Sequence, residues 1–324
     1  MAGSSGKRVV ITGASSGIGA ATAQAFANQG ARIVLAARNR EALERIGETC
    51  RGAGAEVLIV PTDVTDGSAV AELAARARDW LGTIDLWFSN VGIGVVGKFH
   101  EVPLADHRRV IEANLIGHLN DAYAVLPIFL EQNRGTFVNM ISVGGLLPAP
   151  WAAAYTASKF GLRGLSQALR GELSGHADIH ICDVYPTFVD TPAIRHAGNH
   201  TGGETSVPPG VLDPRSVARA VVRLADHPRH TTAIGAPALA MKLAQFLTPD
   251  LSATLMNRFM SRYFRKADPA PATSGNLFAP PADDGQVDGG YRRPGQRKTA
   301  AAAAVGAAAV IAGAALIRRR ERGR

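Results

Sequence analysis

Tyr155 and Lys159 lie four residues apart in the run Tyr155-Thr156-Ala157-Ser158-Lys159. On a helix that spacing puts both side chains on one face. A free tyrosine has a pKa of about 10, too high for proton transfer near neutrality. A neighbouring ammonium favours the phenolate and lowers that value. The pair would then supply a tuned proton donor and acceptor, as hydride chemistry on a carbonyl or an alcohol requires. Ser142 closes the preceding strand-like run and could bond a substrate oxygen. Asn114 lies inside a helical stretch, although asparagine is a poor helix former.

A second chemistry sits at the start of the chain. Residues 9–19 read as a strand, a turn and the beginning of a helix. Gly13, Gly17 and Gly19 let the backbone turn tightly and come close to a pyrophosphate. Ser15, Ser16 and Ile18 lie between them, where a helix N-terminus offers N–H groups and a partial positive charge. The spacing is Gly-x-x-x-Gly-x-Gly, which differs from the general dinucleotide fingerprint, but the strand–turn–helix context fits a phosphate site. At the end of the second strand, Ala36-Ala37-Arg38-Asn39-Arg40 lacks the acid that would bond the ribose 2′-hydroxyl of NAD. Arg38 suits a 2′-phosphate by bidentate charge-assisted bonding, so NADP is expected over NAD, and NADPH over NADH. Asp63 and Val64 follow the third strand, where an adenine would lie. Asp63 could accept from the adenine amine or could cap the next helix. Asn90, Val91 and Gly92 end the fourth strand, at the carboxyl edge where ligands bind such sheets.

These residues need a scaffold that brings strand ends together. Apolar strand-like runs occur at 8–12, 32–37, 56–61, 84–89, 136–142 and 179–185. They are hydrophobic on both faces, as a parallel sheet covered by helices demands. Helical patterns fill 18–29, 40–52, 67–80, 104–132 and 152–174. The alternation predicts an α/β fold, a doubly wound parallel sheet of Rossmann-like three-layer αβα form. A loop rich in Gly, Pro, Thr and His spans 187–209, and long loops of this kind are usually lids or binding elements. A helix is expected over 213–227, with Asp213 as N-cap and Pro214 at its first position. The predicted division places a dinucleotide-binding and catalytic domain at 1–235. C-terminal helices near the substrate pocket follow at 236–266, broken near Pro249. Residues 267–298 read as a linker or extended arm, and 299–324 as an Ala-rich apolar segment with a basic end.

Charge is confined to that end. The net charge is +8, but residues 292–324 hold nine basic side chains and one acidic one, leaving 1–291 with 26 of each. A chain-wide nucleic-acid footprint is excluded and no nucleic-acid partner is expected. Residues 300–317 carry no charge and include eleven alanines. They are just long enough for a bilayer helix and only marginally apolar, so a membrane anchor competes with an exposed Ala-rich helix or a basic tail. Cys50 and Cys182 are too few for a disulfide framework and suit reduced thiols in a cytosolic catalytic domain. The histidines show no metal-ligand spacing, and no metal is expected. Trp151 and Phe188 are placed to wall a substrate pocket.

Taken together, the motifs at 12–19, Asp63, 90–92, Asn114, Ser142 and 155–159 resemble the short-chain dehydrogenase/reductase family, in order and approximate spacing over residues 7–191. The resemblance implies that Tyr155 is the general acid/base and that Lys159 holds the nicotinamide ribose and lowers the tyrosine pKa. It implies that Ser142 orients the carbonyl and Asn114 fixes a relay water. Asn90 and Gly92 would line the cofactor cleft, and Val189 and Thr191 would contact the nicotinamide amide. The chain departs from the family in Val91, a larger residue than usual, and in Pro186-Thr187, where a glycine is usual after the proline. The implied activity is NADP(H)-dependent hydride transfer on a carbonyl or secondary alcohol of a lipophilic small molecule. The alternative is a non-catalytic cofactor-sensing or scaffold protein. The family often forms homo-oligomers through the helices at 104–132 and 152–174.

Overall fold

The computed structural model describes residues 6–207, 211–235, 249–281 and 285–292. Seven strands form one sheet: β1 (Arg8–Thr12), β2 (Arg32–Ala37), β3 (Glu56–Pro61), β4 (Leu86–Ser89), β6 (Gly135–Met140), β7 (Ile179–Pro186) and β9 (Thr231–Ile234). Their order is β3-β2-β1-β4-β6-β7-β9, and every pairing is parallel. A two-stranded accessory sheet joins β5 (Val95–Val96) to β8 (Gly198–Asn199). The strand order reverses between β1 and β4, which opens a crevice at their carboxyl ends.

Both sheet faces are buried, which explains the apolar runs. Val9 and Ile11 point into one core with Phe26, Leu43, Ile46, Val217 and Val221. Val10 points the other way and joins Leu73, Trp87, Val125, Phe129 and Phe137. Adjacent strand residues serve opposite layers, so each must be apolar. On the first face lie α1 (Gly17–Ala27), α2 (Arg40–Gly52) and α8 (Pro214–Leu224). On the second lie α3 (Gly67–Leu81), α5 (Gly117–Gln132) and the end of α6 (Ala153–Glu172). The doubly wound fold is therefore as expected.

Three local differences bear on function. The helical stretch expected over 104–132 is α4 (Leu104–Ile111), a π-helical turn at Glu112–Ile116, then α5. Gly117 donates to the Glu112 carbonyl, five residues back. Such turns absorb an extra residue and often mark functional sites; this one holds Asn114. A β-carbon on Gly117 would lie 2.5 Å from Val64 Cγ2, so the helix passes the β3 connection closely. The strand β9 was not expected, because four residues following a Pro-Arg-His stretch leave too little pattern. The loop region after β7 holds a short helix, α7 (Ala193–His196), and β8.

Asp213 does cap α8, accepting from the Arg215 N–H, with Pro214 at its first position. In the C-terminal region, α9 (Pro249–Phe264) is helical. Residues 268–281 and 285–292 run as an extended arm, bridged antiparallel at Asn199–Thr273 and Gly203–Pro269. The expectations for 236–248 and for the tail, including 300–317, lie outside the described residues. Among the described residues no helix is long and apolar enough to cross a membrane.

Candidate active site

The glycine-rich turn sits at the crevice, between β1 and α1. Gly13 and Gly17 have φ of +65° and +54°, the left-handed region that favours glycine. A β-carbon on Gly19 would lie 2.1 Å from the Gly13 carbonyl oxygen. Only glycine permits that crossing, and it leaves a cradle bare of side chains. Asn90 braces the turn by donating from Nδ2 to the Gly13 carbonyl at 3.1 Å. Val91 packs its backbone about the same glycine, 3.1 Å from the position of a β-carbon.

Behind the turn lies a buried carboxyl group. Asp121 Oδ2 accepts from Thr12 Oγ1 at 2.8 Å and Ser89 Oγ at 2.6 Å. Burial pushes Asp121 up to about 7, against the pull of the Ser89 and Thr12 hydroxyls and the Trp87 indole. The indole N–H and Asp121 Oδ1 lack a partner at bonding geometry, so the indole acts as a nearby dipole and not as a formed bond. His118 is also fully buried. Its ring nitrogens lie 2.7 Å from Asn139 Oδ1 and 2.8 Å from the Val91 carbonyl oxygen. Burial, helped by the charge of Lys159, pushes His118 down to about 4.

The catalytic candidates converge at the ends of β6 and α6. Ser142 has φ +119° and ψ 157°. That region is nearly exclusive to glycine and costs about 1–3 kcal/mol for other residues. The conformation turns Ser142 so that its hydroxyl accepts from the Gly144 N–H at 3.2 Å, on the side of Gly144 that also faces the Tyr155 ring. Lys159 is 2% exposed and donates to the Met140 carbonyl at 3.0 Å. Its ammonium lies 5.8 Å from the Tyr155 ring centroid. Asn114 is fully buried. Its Oδ1 accepts from the Ile93 N–H at 2.8 Å, and its Nδ2 donates to the Ile93 carbonyl and to Ser158 Oγ. The four side chains therefore share one corner of the crevice, beside Gly92, whose β-carbon position is 3.9 Å from Lys159 Nζ.

One electrostatic expectation is reversed. Lysine was expected to lower the Tyr155 pKa, but burial raises it, and only the nearby Ser142 hydroxyl opposes the rise. The same burial pushes Lys159 down to about 7. Desolvation thus acts on both partners of the pair.

The adenosine end also differs in detail. Asp63 does not cap α3; Asp66 does, accepting from Ser68 and Ala69. Asp63 instead accepts from the Thr65 N–H and hydroxyl, and pairs with Arg109 at 2.8 Å. Burial works to raise its carboxyl, yet the Thr65 bonds and Arg109 hold it below the ordinary value. Val64 is 4% exposed and its side chain packs into the core and not into the crevice. Arg38 donates to the carbonyls of Asn276 at 2.8 Å and Leu277 at 3.3 Å, both on the C-terminal arm. Arg109 donates from Nε to the same Leu277 oxygen at 3.0 Å. Sequence reading missed Arg109, which sits in an unremarked Arg-Arg pair on α4 with no motif to mark it. At the other end Val189 and Thr191 are nearly buried, with Thr191 Cγ2 3.0 Å from the β-carbon position of Gly17. Trp151 stacks on Phe264 of α9 at 5.1 Å and donates to Asn257, whereas Phe188 is 54% exposed.

Residues 7–201 match the family model for short chain dehydrogenases. The chain belongs to the short-chain dehydrogenase family. It is 30% identical over 255 residues to an uncharacterised oxidoreductase, YxnA, of Bacillus subtilis, spanning 78% of this chain and 72% of that one. It is 32% identical over 220 residues to the ketoacyl reductase HetN of a Nostoc species, spanning 67% and 75%. Among solved structures, a short chain dehydrogenase/reductase of Burkholderia phymatum in complex with NAD matches with TM-score 0.65 and 28% identity, over 84% of this chain and 100% of that one. An alcohol dehydrogenase of Thermococcus sibiricus complexed with 5-hydroxy-NADP matches with TM-score 0.62 and 28% identity, over 70% and 95%. This dehydrogenase is therefore an oxidoreductase whose solved relatives carry one or the other nicotinamide dinucleotide. Its buried thiols, Cys50 and Cys182, are both pushed up to about 11 by burial and lie apart from the site.

The His118 shift carries a pH dependence. The unfolded chain takes up its proton as pH falls through 6.5, while the folded chain refuses it until about 4. Stability contributed by this group is therefore lost on acidification across that window. The gap in denaturation midpoint between wild type and His118→Gln should change steadily between pH 6.5 and 4, against the wild type, and stay level above it. Urea melts at stepped pH measure this, and parallel curves would remove His118 from the account.

Proposed function

We propose that this dehydrogenase is an NADP(H)-dependent oxidoreductase of carbonyl or secondary alcohol groups, with Tyr155 as proton donor and acceptor. The observation that carries the reading is the corner where strained Ser142, Tyr155 and Lys159 meet, at the carboxyl edge beside the bare glycine cradle. The chemistry supplied by a bound nicotinamide is hydride transfer. Ser142 orients the substrate oxygen with its hydroxyl. Tyr155 gives or takes the proton on that oxygen, and Lys159 holds the adjoining ribose. Asn114, clamped by its side chain to Ile93 and Ser158, fixes the relay water. The turn residues Gly13, Ser15, Ser16, Gly17, Ile18 and Gly19 receive the pyrophosphate, and Val189 and Thr191 contact the nicotinamide amide. Asp63 and the Asn90–Gly92 main chain border the adenosine half. Trp151 stacked on Phe264 gives the substrate side an aromatic wall, which supports a lipophilic substrate.

Two outcomes test this reading, and a third tests the tail. Tyr155→Phe should abolish NADPH oxidation over a panel of ketones and aldehydes while nucleotide binding persists; undiminished turnover would refute the role. Arg38→Leu should raise KM for NADPH by about 10-fold or more, the loss of one charge-assisted pair, with no rise for NADH. Equal shifts for both nucleotides would remove Arg38 from 2′-phosphate recognition. The composition of 300–317 separately supports a membrane-associated C-terminus. On that proposal the full chain sediments with membranes and a chain ending at residue 298 stays in the supernatant; identical partitioning rejects it.

A further inference from the structure

The C-terminal arm runs along the edge that the cofactor reading gives to the dinucleotide. Its contacts fall on the same groups. Arg38, assigned to the 2′-phosphate, is held by the carbonyls of Asn276 and Leu277. The Gly17 N–H, at the helix N-terminus assigned to the pyrophosphate, donates to the Gln286 carbonyl at 2.8 Å. Asp190, between the two residues assigned to the nicotinamide end, accepts from the N–H groups of Gly289, Tyr291 and Arg292. Leu277 is fully buried, in one apolar cluster with Ile93, Val110, Ala113 and Ala154.

The arm is also fastened outside the crevice. Ser274 Oγ donates to Asp106 Oδ2 at 2.9 Å, and His200 Nε2 lies 3.0 Å from the same oxygen. Arg215 forms a two-bond pair with Asp288 at 2.7 and 2.8 Å, and Arg292 reaches Asp213 at 3.0 Å. At the centre two guanidinium groups, Arg38 and Arg109, converge on the Leu277 carbonyl oxygen, and Arg109 is also paired with Asp63. Guanidinium forks so placed bind a phosphate dianion more strongly than a carbonyl dipole.

We infer that the arm, residues 268–281 and 285–292, is an internal competitor of the dinucleotide, with Leu277 seated in the adenosine end and its carbonyl standing in for the 2′-phosphate between Arg38 and Arg109. The inference rests on the cofactor reading given above. Nucleotide binding requires the Asn276–Leu277 turn to lift, so the apparent affinity is the intrinsic affinity reduced by the fraction of chains with the arm raised. The arm then sets how much NADP(H) the enzyme needs before it works.

The test uses full-length chains and NADPH fluorescence titration. Leu277→Ala, which removes the buried side chain without bringing a charge beside Arg38 and Arg109, should bind NADPH about tenfold or more tightly than wild type. Phe278→Ala, an exposed neighbour at 56%, should bind as wild type does. Equal or weaker binding by Leu277→Ala overturns the inference. Hydrogen exchange on the unaltered chain gives a second readout that needs no substitution. Adding NADPH should speed exchange at the amides of Leu277, Gly289 and Tyr291. Slower exchange there would mean that the arm closes over the nucleotide, which overturns competition and leaves the cofactor reading standing. Failure of all three chains to bind either NADPH or NADH overturns the cofactor reading and the competitor with it.

Discussion

One buried carboxyl group holds the crevice together. Asp121 on α5 gathers Thr12 from the end of β1 and Ser89 from the end of β4, the two strands between which the sheet order reverses. The glycine turn begins one residue after Thr12, and the 90–92 segment begins one residue after Ser89. Both walls of the crevice are therefore hung from a single side chain. The arrangement is expensive in isolation, since a buried carboxylate is desolvated, and the shift toward 7 is the sign of that cost. It persists because both hydroxyls find in Asp121 a closer acceptor than the strands themselves provide: the Phe88 carbonyl lies 3.4 Å from Thr12 Oγ1, against 2.8 Å for the carboxylate.

The catalytic corner follows a similar rule, with strain in place of desolvation. Ser142 departs from strand geometry immediately after β6, where its N–H and that of Ile141 both point at the Val184 carbonyl. The neighbouring strand thus fixes the kink. The backbone distortion turns the Ser142 side chain into the catalytic corner. The π turn at Asn114 is the helical counterpart: a local break in register that aims one residue at the Ile93 backbone.

Much of this was legible in the residue order, and the reasons are local. Glycine spacing, strand hydrophobicity and the four-residue Tyr–Lys interval each report a constraint met within a few neighbours. The parts that were not legible depend on distant partners. The four-residue β9 is a strand because β7 offers a free edge, not because its own sequence insists. Arg109 matters because Asp63 lies opposite, 46 residues away. The Tyr155 shift has the opposite sign from the pairwise expectation, because burial is a property of the whole corner and the Tyr–Lys spacing contains no information about it. The course of the arm was the least visible, since a Pro- and Gly-rich composition describes stiffness and says nothing of destination.

The contact between Arg38 and Asn276 spans 238 residues. Every strand of the sheet has been made by residue 234, some forty residues earlier in synthesis than the arm's buried leucine. Chains fold roughly in the order they emerge, and long-range contacts form late. The enzyme thus passes through a stage in which its crevice is complete and its competitor has not yet been made. A nucleotide present at that stage meets an open site, whereas one arriving later must contend with a closed one. The history of a molecule, and not only its surroundings, then enters into which state it occupies first.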